Sequence, residues 1–293
     1  MAQPSGRATT GMDLYARCAL SGGLGSSITQ AILCPVESVL NEMKFTKRPS
    51  TPKIGAALRA VVEERGVRAL WKGAAPVSAF LFGSFQFGGY EFWKNTLLET
   101  VAVDKARYCR TAIYGTSAAL CEVFASFALC PLEATRIRQL TNPSFATGYV
   151  SAFMKLWREE RILRGLFRGY GSTLFIQLPF TITKFVVYEQ TVEALYNNLR
   201  VKNEELSSPA LVTINLGAGL LAGLAATLIS QPCYAIVSKR KQEGWQLIEL
   251  ARELGVKGLF AGLRNRALIF GFLTTGQFAI YGYVRQILNA GIS

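Results

Sequence analysis

The chain is organised around a short motif that occurs three times, each time at the end of a long apolar run. Its clearest copy is Cys130–Arg138, where a proline is followed by Glu133 and Arg136. A proline inside a helix removes a backbone hydrogen bond, and side chains three residues apart share one face of the helix. The other copies are Cys34–Leu40 and Gln231–Val237, so the motif recurs about every hundred residues.

Two further markers follow each copy in the same order. The first is an aromatic residue with a glycine two positions later, and the second is a tyrosine followed by an acid or a glycine. They are Trp71-Lys72-Gly73, Phe167-Arg168-Gly169 and Phe260-Ala261-Gly262, then Tyr90-Glu91, Tyr188-Glu189 and Tyr281-Gly282. Three ordered markers at one period indicate internal repetition. We therefore predict one domain over 1–293, made of repeats at about 12–104, 105–203 and 204–293.

Composition indicates a membrane protein. Half of the 293 residues are hydrophobic and 17% are charged, which is unusual for a soluble domain of this length. Six segments reach the length of about 20 mainly apolar residues that a bilayer-spanning helix needs. They are 14–41, 74–97, 109–139, 170–196, 210–238 and 265–288. We predict an all-α membrane protein with two spans in each repeat; a large soluble helical protein is the alternative, because an apolar run also fits a buried core.

The net charge of +13 is unevenly distributed along the chain. Of the 32 Lys and Arg residues, 22 lie in the connections within the repeats, at 42–75, 136–169 and 239–266. Basic residues concentrated in alternate loops are typical of oriented membrane proteins. Nucleic-acid binding is the competing interpretation, but it favours one continuous basic face, so we expect no nucleic-acid partner.

The residue types exclude several chemistries. The chain has no histidine, which excludes His-assisted nucleophilic catalysis and His-ligated metals. Its six cysteines stand singly in or beside apolar segments, without the spacing of a zinc site or a disulfide framework. We expect neither an enzyme nor a bound metal or cofactor.

Each repeat also contains an amphipathic segment between its two spans, at Ile54–Glu64, Phe153–Glu160 and Trp245–Glu253. Such segments are typical of short helices that lie in the membrane interface. Beyond them, Gly73 with Lys72 and Gly169 with Arg168 combine a helix start with a cation. This combination favours phosphate groups. We therefore predict acidic phospholipid, cardiolipin above all, at these four residues.

This order of motifs resembles the mitochondrial carrier family over essentially the whole chain. Within the family the resemblance is strongest to the phosphate carriers. It rests on Gln177–Phe185, on Cys121-Glu122 ahead of the second proline motif, and on the abbreviated Leu254–Gly258.

The resemblance implies six tilted helices around a central cavity, short matrix-side helices, and both termini toward the intermembrane space of the inner mitochondrial membrane. Transport would proceed by alternating access. The matrix gate would retain Glu37 with Arg136, while Glu133 would face a non-basic residue. Tyr234 and Leu40 would replace another ion pair with an apolar or stacking contact.

On the cytoplasmic side, the resemblance implies a gate of Glu91, Lys94 and Glu189. The third acidic position of this gate is Gly282. The sequence therefore departs from the family pattern at both gates.

The cavity departs from the phosphate-carrier pattern as well. Gln30 and Gln86 stand where phosphate carriers usually have His and Lys. Ile176 replaces a usual Arg, and Ser126 replaces an acidic residue. The chain retains four residues of the pattern: Glu122, Lys184, Arg266 and Gln277. Anion binding needs cations and charge-assisted hydrogen bonds, so Lys184 and Arg266 are the candidate anion ligands. Glu122 is the candidate proton carrier, because no histidine is present.

Two functions remain open on the sequence. One is a carrier that imports inorganic phosphate, or a related small anion, with a proton. The other is a carrier-derived subunit that no longer transports and packs with other inner-membrane proteins in a respiratory or ATP synthase complex. The lost gate pair and the missing cavity cations are compatible with either.

Overall fold

The computed structural model describes residues 11–45, 59, 62–63, 76–101, 109–141, 149–159, 167, 169–199, 208–239 and 247–290. The regular structure of this part is helical. Six helices have 25 to 35 residues: α1 (Gly11–Phe45), α2 (Pro76–Thr100), α3 (Arg110–Thr141), α5 (Tyr170–Leu199), α6 (Ser208–Lys239) and α8 (Leu263–Ala290). Two are short: α4 (Tyr149–Glu159) and α7 (Leu247–Leu259).

The six long helices coincide with the six predicted spans, and their ends differ from the predicted ones by a few residues. By length and composition, three of them are long and apolar enough to cross a membrane. These windows are Arg110–Thr135, Val212–Lys239 and Leu263–Arg285. The other three long helices are α1, α2 and α5, which contain many Gly, Ser, Thr and Gln residues. The short helices α4 and α7 overlap two of the predicted amphipathic segments, whereas most of Ile54–Glu64 lies outside the described residues.

The long helices close into a ring. Each packs against the next long helix in chain order, and α8 packs back against α1, while α4 and α7 contact α3 and α6. The start of α1 therefore lies beside the end of α8, where Arg17 Nη1 donates to the carbonyl oxygen of Leu288 (2.9 Å). We call this the terminal end of the ring and the other the opposite end.

Glycines let α8 approach its two neighbours closely. A side chain at Gly25 of α1 would place its Cβ 2.9 Å from the backbone oxygen of Gln277, and one at Gly223 of α6 would come equally close to that of Phe270. Small residues on α1 and α6 thus allow the helices to pack closely enough for the ring to close. Gly217 is an exception, because a Cβ there meets nothing within 4 Å.

The distribution of polar and apolar side chains is the reverse of that in a soluble protein. Large apolar residues such as Phe127, Leu221 and Phe272 are exposed on the outside of the ring, whereas Glu122 and Lys184 are buried. This distribution is typical of membrane proteins, in which ionisable residues face the interior of the helix bundle and lipid covers its outside.

Two of the predicted aromatic–glycine markers precede helices α5 and α8. Gly169 and Gly262 have φ angles of 100° and 78°, a region that residues with a side chain rarely adopt. Their carbonyl oxygens accept the first helical hydrogen bonds, from the backbone N–H groups of Thr173 (2.9 Å) and Arg266 (3.2 Å). The glycines therefore set where these two helices begin.

Candidate functional site

A cavity of about 460 Å³ lies inside the ring and is lined by side chains from all six long helices. It runs from the middle of the ring toward the opposite end, where Glu133 and Gly169 contribute to its wall. Five of the predicted cavity residues line it: Gln30, Gln86, Lys184, Arg266 and Gln277. The sixth, Glu122, is fully buried behind the wall.

Lys184 of α5 places an ammonium group at the inner end of this cavity. The residue is 1% exposed, and its Nζ donates one hydrogen bond, to Gln86 Oε1 (2.5 Å). The rings of Phe185, Phe87 and Phe180 surround the ammonium, with centroids 4.8, 5.5 and 6.0 Å from Nζ. Aromatic faces stabilise a cation without neutralising it. Because an ammonium has three donors, Lys184 retains hydrogen-bonding capacity toward the cavity.

Glu122 of α3 accepts hydrogen bonds from three neutral side chains. Gln86 Nε2 and Thr181 Oγ1 donate to its Oε2 (3.0 and 2.8 Å), and Ser126 Oγ donates to its Oε1 (2.6 Å). Gln86 thus bonds to both Lys184 and Glu122. Ser126 connects this hydrogen-bond network to the cavity, because it also lines the cavity wall. These hydrogen bonds satisfy both oxygens of the buried carboxyl group.

Arg266 of α8 is the second cation of the cavity. Its guanidinium carbon lies 4.5 Å from the centre of the Tyr234 ring and 5.1 Å from that of Phe270. Its Nη1 donates to Gln231 Oε1 (3.2 Å), while its buried Nε has no hydrogen-bond partner among the described residues. Tyr234, which stands at an acidic position of the family motif, therefore packs against a cation.

Charged residues meet at the terminal end, beyond the inner end of the cavity. Lys94 Nζ lies 2.9 Å from Glu91 Oε2 and 2.9 Å from Glu189 Oε1, so the structure brings these three predicted residues together. It adds Arg285, whose Nη2 is 3.6 Å from Glu91 Oε1. Sequence reasoning missed Arg285, although it follows Tyr281 at the same interval as Lys94 follows Tyr90.

Six aromatic residues separate this charged cluster from the cavity. They form three stacked pairs among α2, α5 and α8, each joining a tyrosine of one helix to a phenylalanine of another. The pairs are Tyr90–Phe185, Tyr188–Phe278 and Tyr281–Phe87, with ring centroids 4.0, 3.7 and 4.6 Å apart. The three phenylalanines also contact one another edge to face. Such packing excludes water and closes the cavity toward the terminal end.

Gly282 stands where the family pattern has its third acidic residue, and the space beside it is filled by Asn215 of the neighbouring helix α6. A Cβ on Gly282 would collide with the amide nitrogen of Asn215 of α6, and Tyr188 donates its hydroxyl to Asn215 Oδ1 (2.8 Å). A neutral hydrogen bond thus occupies the position where the family motif has an acid.

Several predicted residues lie outside the described part. The side chains of Glu37, Leu40 and Arg136, and the residues Lys72, Gly73 and Arg168, are among them. The matrix gate and the lipid site therefore stay predictions, with Glu133 located at the cavity wall and Gly169 at the start of α5.

Comparison with known proteins identifies the family. A family model described as mitochondrial carrier protein matches residues 13–101 and 109–199. Mitochondrial substrate carrier family protein N of Dictyostelium discoideum is 35% identical over 287 residues, covering 94% of this chain and 95% of the relative. The mitochondrial phosphate carrier protein of Caenorhabditis elegans is 32% identical over 279 residues (94% and 82% covered). Solute carrier family 25 member 3 of Bos taurus is 32% identical over 272 residues (92% and 75%). Members of this family are transporters, which agrees with the expectation that the chain is not an enzyme. The chain belongs to the mitochondrial carrier family.

Proposed function

We propose that this protein carries inorganic phosphate, or a related small anion, together with a proton across the inner mitochondrial membrane. Two relatives named as mitochondrial phosphate carriers match 93–94% of the chain at 30–32% identity. Transport would follow an alternating-access cycle in which the cavity opens to one side of the membrane at a time.

The observation that carries the proposal is the environment of the Lys184 ammonium. Its ammonium lines a closed-ended cavity, is almost fully buried, and bonds to a neutral amide instead of a carboxylate. A buried charge is costly unless a partner compensates it. A small anion at the inner end of the cavity would supply that partner. Arg266, with its unpartnered Nε, would contact the anion nearer the opposite end of the same cavity.

In this proposal all six long helices span the membrane and both termini face the intermembrane space. The clustered basic residues of the connections within the repeats then lie on the matrix side, as orientation bias favours. Three helices already meet the length and composition of a span. The other three are held between them in the same ring.

The two ends of the ring would act as gates. Lys94 with Glu91 and Glu189, together with the aromatic pairs, would hold the cytoplasmic side shut in the conformation seen here. Glu37 with Arg136 would close the matrix side in the other half of the cycle. Glu133 would belong to that gate as well, since it lines the matrix half of the cavity.

Glu122 would carry the coupled proton. It is the fully buried carboxylate beside the proposed anion ligand, reached from the cavity through Ser126 and Gln86. Its protonation would offset the negative charge that enters with the anion.

Acidic phospholipid would bind at the start of α2 and α5. Gly169 immediately precedes α5, whose first turn leaves backbone N–H groups without partners inside the helix, and Lys72, Gly73 and Arg168 complete the proposed sites. Native mass spectrometry tests this: equal retention of cardiolipin and of a neutral phospholipid would reject it.

Phosphate uptake by proteoliposomes, with and without an imposed pH gradient, tests the function. Lys184→Ala and Arg266→Ala are each expected to lower uptake by more than tenfold, because loss of one partner of a buried charge costs about 2–5 kcal/mol and about 1.4 kcal/mol is tenfold. Lys257→Ala, at an exposed lysine of α7, is the matched control and should transport normally. Glu122→Gln should abolish the response to the pH gradient, whereas Glu249→Gln on the surface of α7 should not.

Two outcomes would contradict the proposal. A folded wild-type protein that moves neither phosphate nor another small anion would favour the carrier-derived structural subunit. Normal transport by all three cavity variants would leave the family assignment intact and show that the site lies elsewhere.

A further inference from the structure

Gln86 of α2 stands between the two charged residues at the inner end of the cavity. It is 1% exposed. Its Oε1 accepts a hydrogen bond from Lys184 Nζ (2.5 Å), and its Nε2 donates one to Glu122 Oε2 (3.0 Å). One neutral amide therefore joins the cation of α5 to the carboxylate of α3.

The chemistry of the two partners dictates how this amide is oriented. An ammonium can only donate hydrogen bonds and a carboxylate can only accept them. Reversing the amide would turn its N–H groups toward the ammonium and its oxygen toward the carboxylate. Gln86 is thus locked in one orientation, with a hydrogen bond to a charged group on each side.

Without the amide, the two charges would be close enough to pair directly. Two hydrogen bonds and the width of one amide group span the gap from Lys184 Nζ to Glu122 Oε2. Lysine has a flexible four-carbon side chain that can cross such a gap. In a poorly solvated interior a direct ion pair would form, and any anion would then have to displace Glu122 from Lys184.

We propose that Gln86 is a positioning residue that keeps the ammonium of Lys184 available to an anion by preventing its direct pairing with Glu122. This inference rests on the proposed function in one respect, that an anion binds at Lys184. If Gln86 has this role, the anion affinity of the chain depends on a neutral spacer. The same spacer separates the anion ligand, Lys184, from the proposed proton carrier, Glu122.

The groups that face Glu122 support this interpretation. From α2 it meets the neutral Gln86, and from α5 it meets Lys184 and the neutral Thr181. The titratable side chains nearby are Cys121 on its own helix and Tyr170 at the start of α5. Among the described residues, Lys184 is thus the one cation of this cluster, and the amide of Gln86 lies between it and Glu122.

The test is binding of inorganic phosphate by the full-length protein in detergent, measured at one pH as a phosphate-dependent rise in Tm. In Gln86→Ala, phosphate affinity should fall at least about tenfold, equivalent to about 1.4 kcal/mol, because Lys184 would then pair with Glu122. The double variant Gln86→Ala with Glu122→Gln should bind phosphate within about threefold of Glu122→Gln alone, which is well under 1.4 kcal/mol.

Gln190→Ala is the matched control. Gln190 is exposed and its amide also joins α5 to α3, through Thr111 Oγ1 (2.9 Å), but it lies outside the cavity lining. This variant should bind phosphate as the wild-type protein does. If Gln86→Ala does not fold, Gln86→Asn retains an amide that is too short to reach both partners, and the same results are expected.

The outcomes separate this inference from the proposed function. Unchanged phosphate affinity in a folded Gln86→Ala variant would overturn the spacer role and leave phosphate binding intact. Loss of affinity that persists in the double variant would show that Gln86 only supports the local packing. If neither phosphate nor another small anion changes the Tm of the wild-type protein, the anion site is wrong, and both proposals fail together.

Discussion

Lys94 is the residue whose removal tests most directly how the terminal end of the ring is held shut. Its ammonium lies 2.9 Å from carboxylate oxygens of both Glu91 and Glu189, and its side chain is 15% exposed. The two carboxylates are also shielded from water, with side-chain exposures of 9% and 19%. Lys94→Ala leaves Glu189 without this cation, while Glu91 keeps a longer contact with Arg285 (3.6 Å).

The size of the effect follows from burial. Truncating one partner of a buried, hydrogen-bonded charge pair costs about 2–5 kcal/mol, much of it from the charge left unpaired. Since Arg285 remains near Glu91, we expect about 3 kcal/mol for Lys94→Ala. With an unfolding entropy of about 2.1 cal/mol/K per residue, one kcal/mol shifts Tm by about 1.6 °C in a chain of 293 residues. The variant should therefore unfold roughly 5 °C below the wild-type protein.

The assay is thermal unfolding in detergent at one scan rate, because membrane proteins often unfold irreversibly. Lys239→Ala is the matched control, since Lys239 pairs with Glu253 at 3.1 Å but the two side chains are 46% and 67% exposed. Exposed pairs contribute about 0–1 kcal/mol. Adding Glu189→Gln to Lys94→Ala should restore part of the lost Tm, because the unpaired charge is removed. Equal Tm values for Lys94→Ala and Lys239→Ala would refute the reasoning.

Two further predictions concern glycines in the ring. Gly25→Ala would force a methyl group to 2.9 Å from the backbone oxygen of Gln277, so we expect the free energy of unfolding to fall by about 1–3 kcal/mol. The control Gly217→Ala, where a Cβ meets nothing within 4 Å, should leave Tm unchanged or raise it; equal losses of Tm in the two variants would contradict the close approach of α1 to α8. Gly282→Ala should lower Tm because Asn215 occupies that space, and adding Asn215→Ala should restore most of the loss; no restoration would mean that the collision is not with Asn215.

The sequence predicts the helices well because their signals are local. A run of mainly apolar residues, a proline motif and a glycine at the helix start are read within one segment. All six long helices and the short α4 and α7 lie where these signals place them. The threefold repeat and the family are predicted from the same local motifs. The family assignment is confirmed, whereas the repeat and its boundaries stay predictions.

The cavity could be predicted in part. Gln30, Gln86, Lys184, Arg266 and Gln277 line it, because the family motif indicates which face of each helix turns inward. Their individual roles stay predictions. The contact of Arg285 with Glu91 could have been predicted, because Arg285 follows Tyr281 at the same interval as Lys94 follows Tyr90.

What the sequence alone determined about this protein is therefore its set of helices, its family and the side chains that face the centre of the ring. Only the tertiary structure decided how those side chains pair. Gln86 bonds to Glu122 and Lys184, which are 36 and 98 residues away, and Asn215 fills the space beside Gly282. Contacts of this kind depend on the rotation and height of each helix in the ring. Glycine contacts such as those of Gly25 set these quantities, and no single segment encodes them.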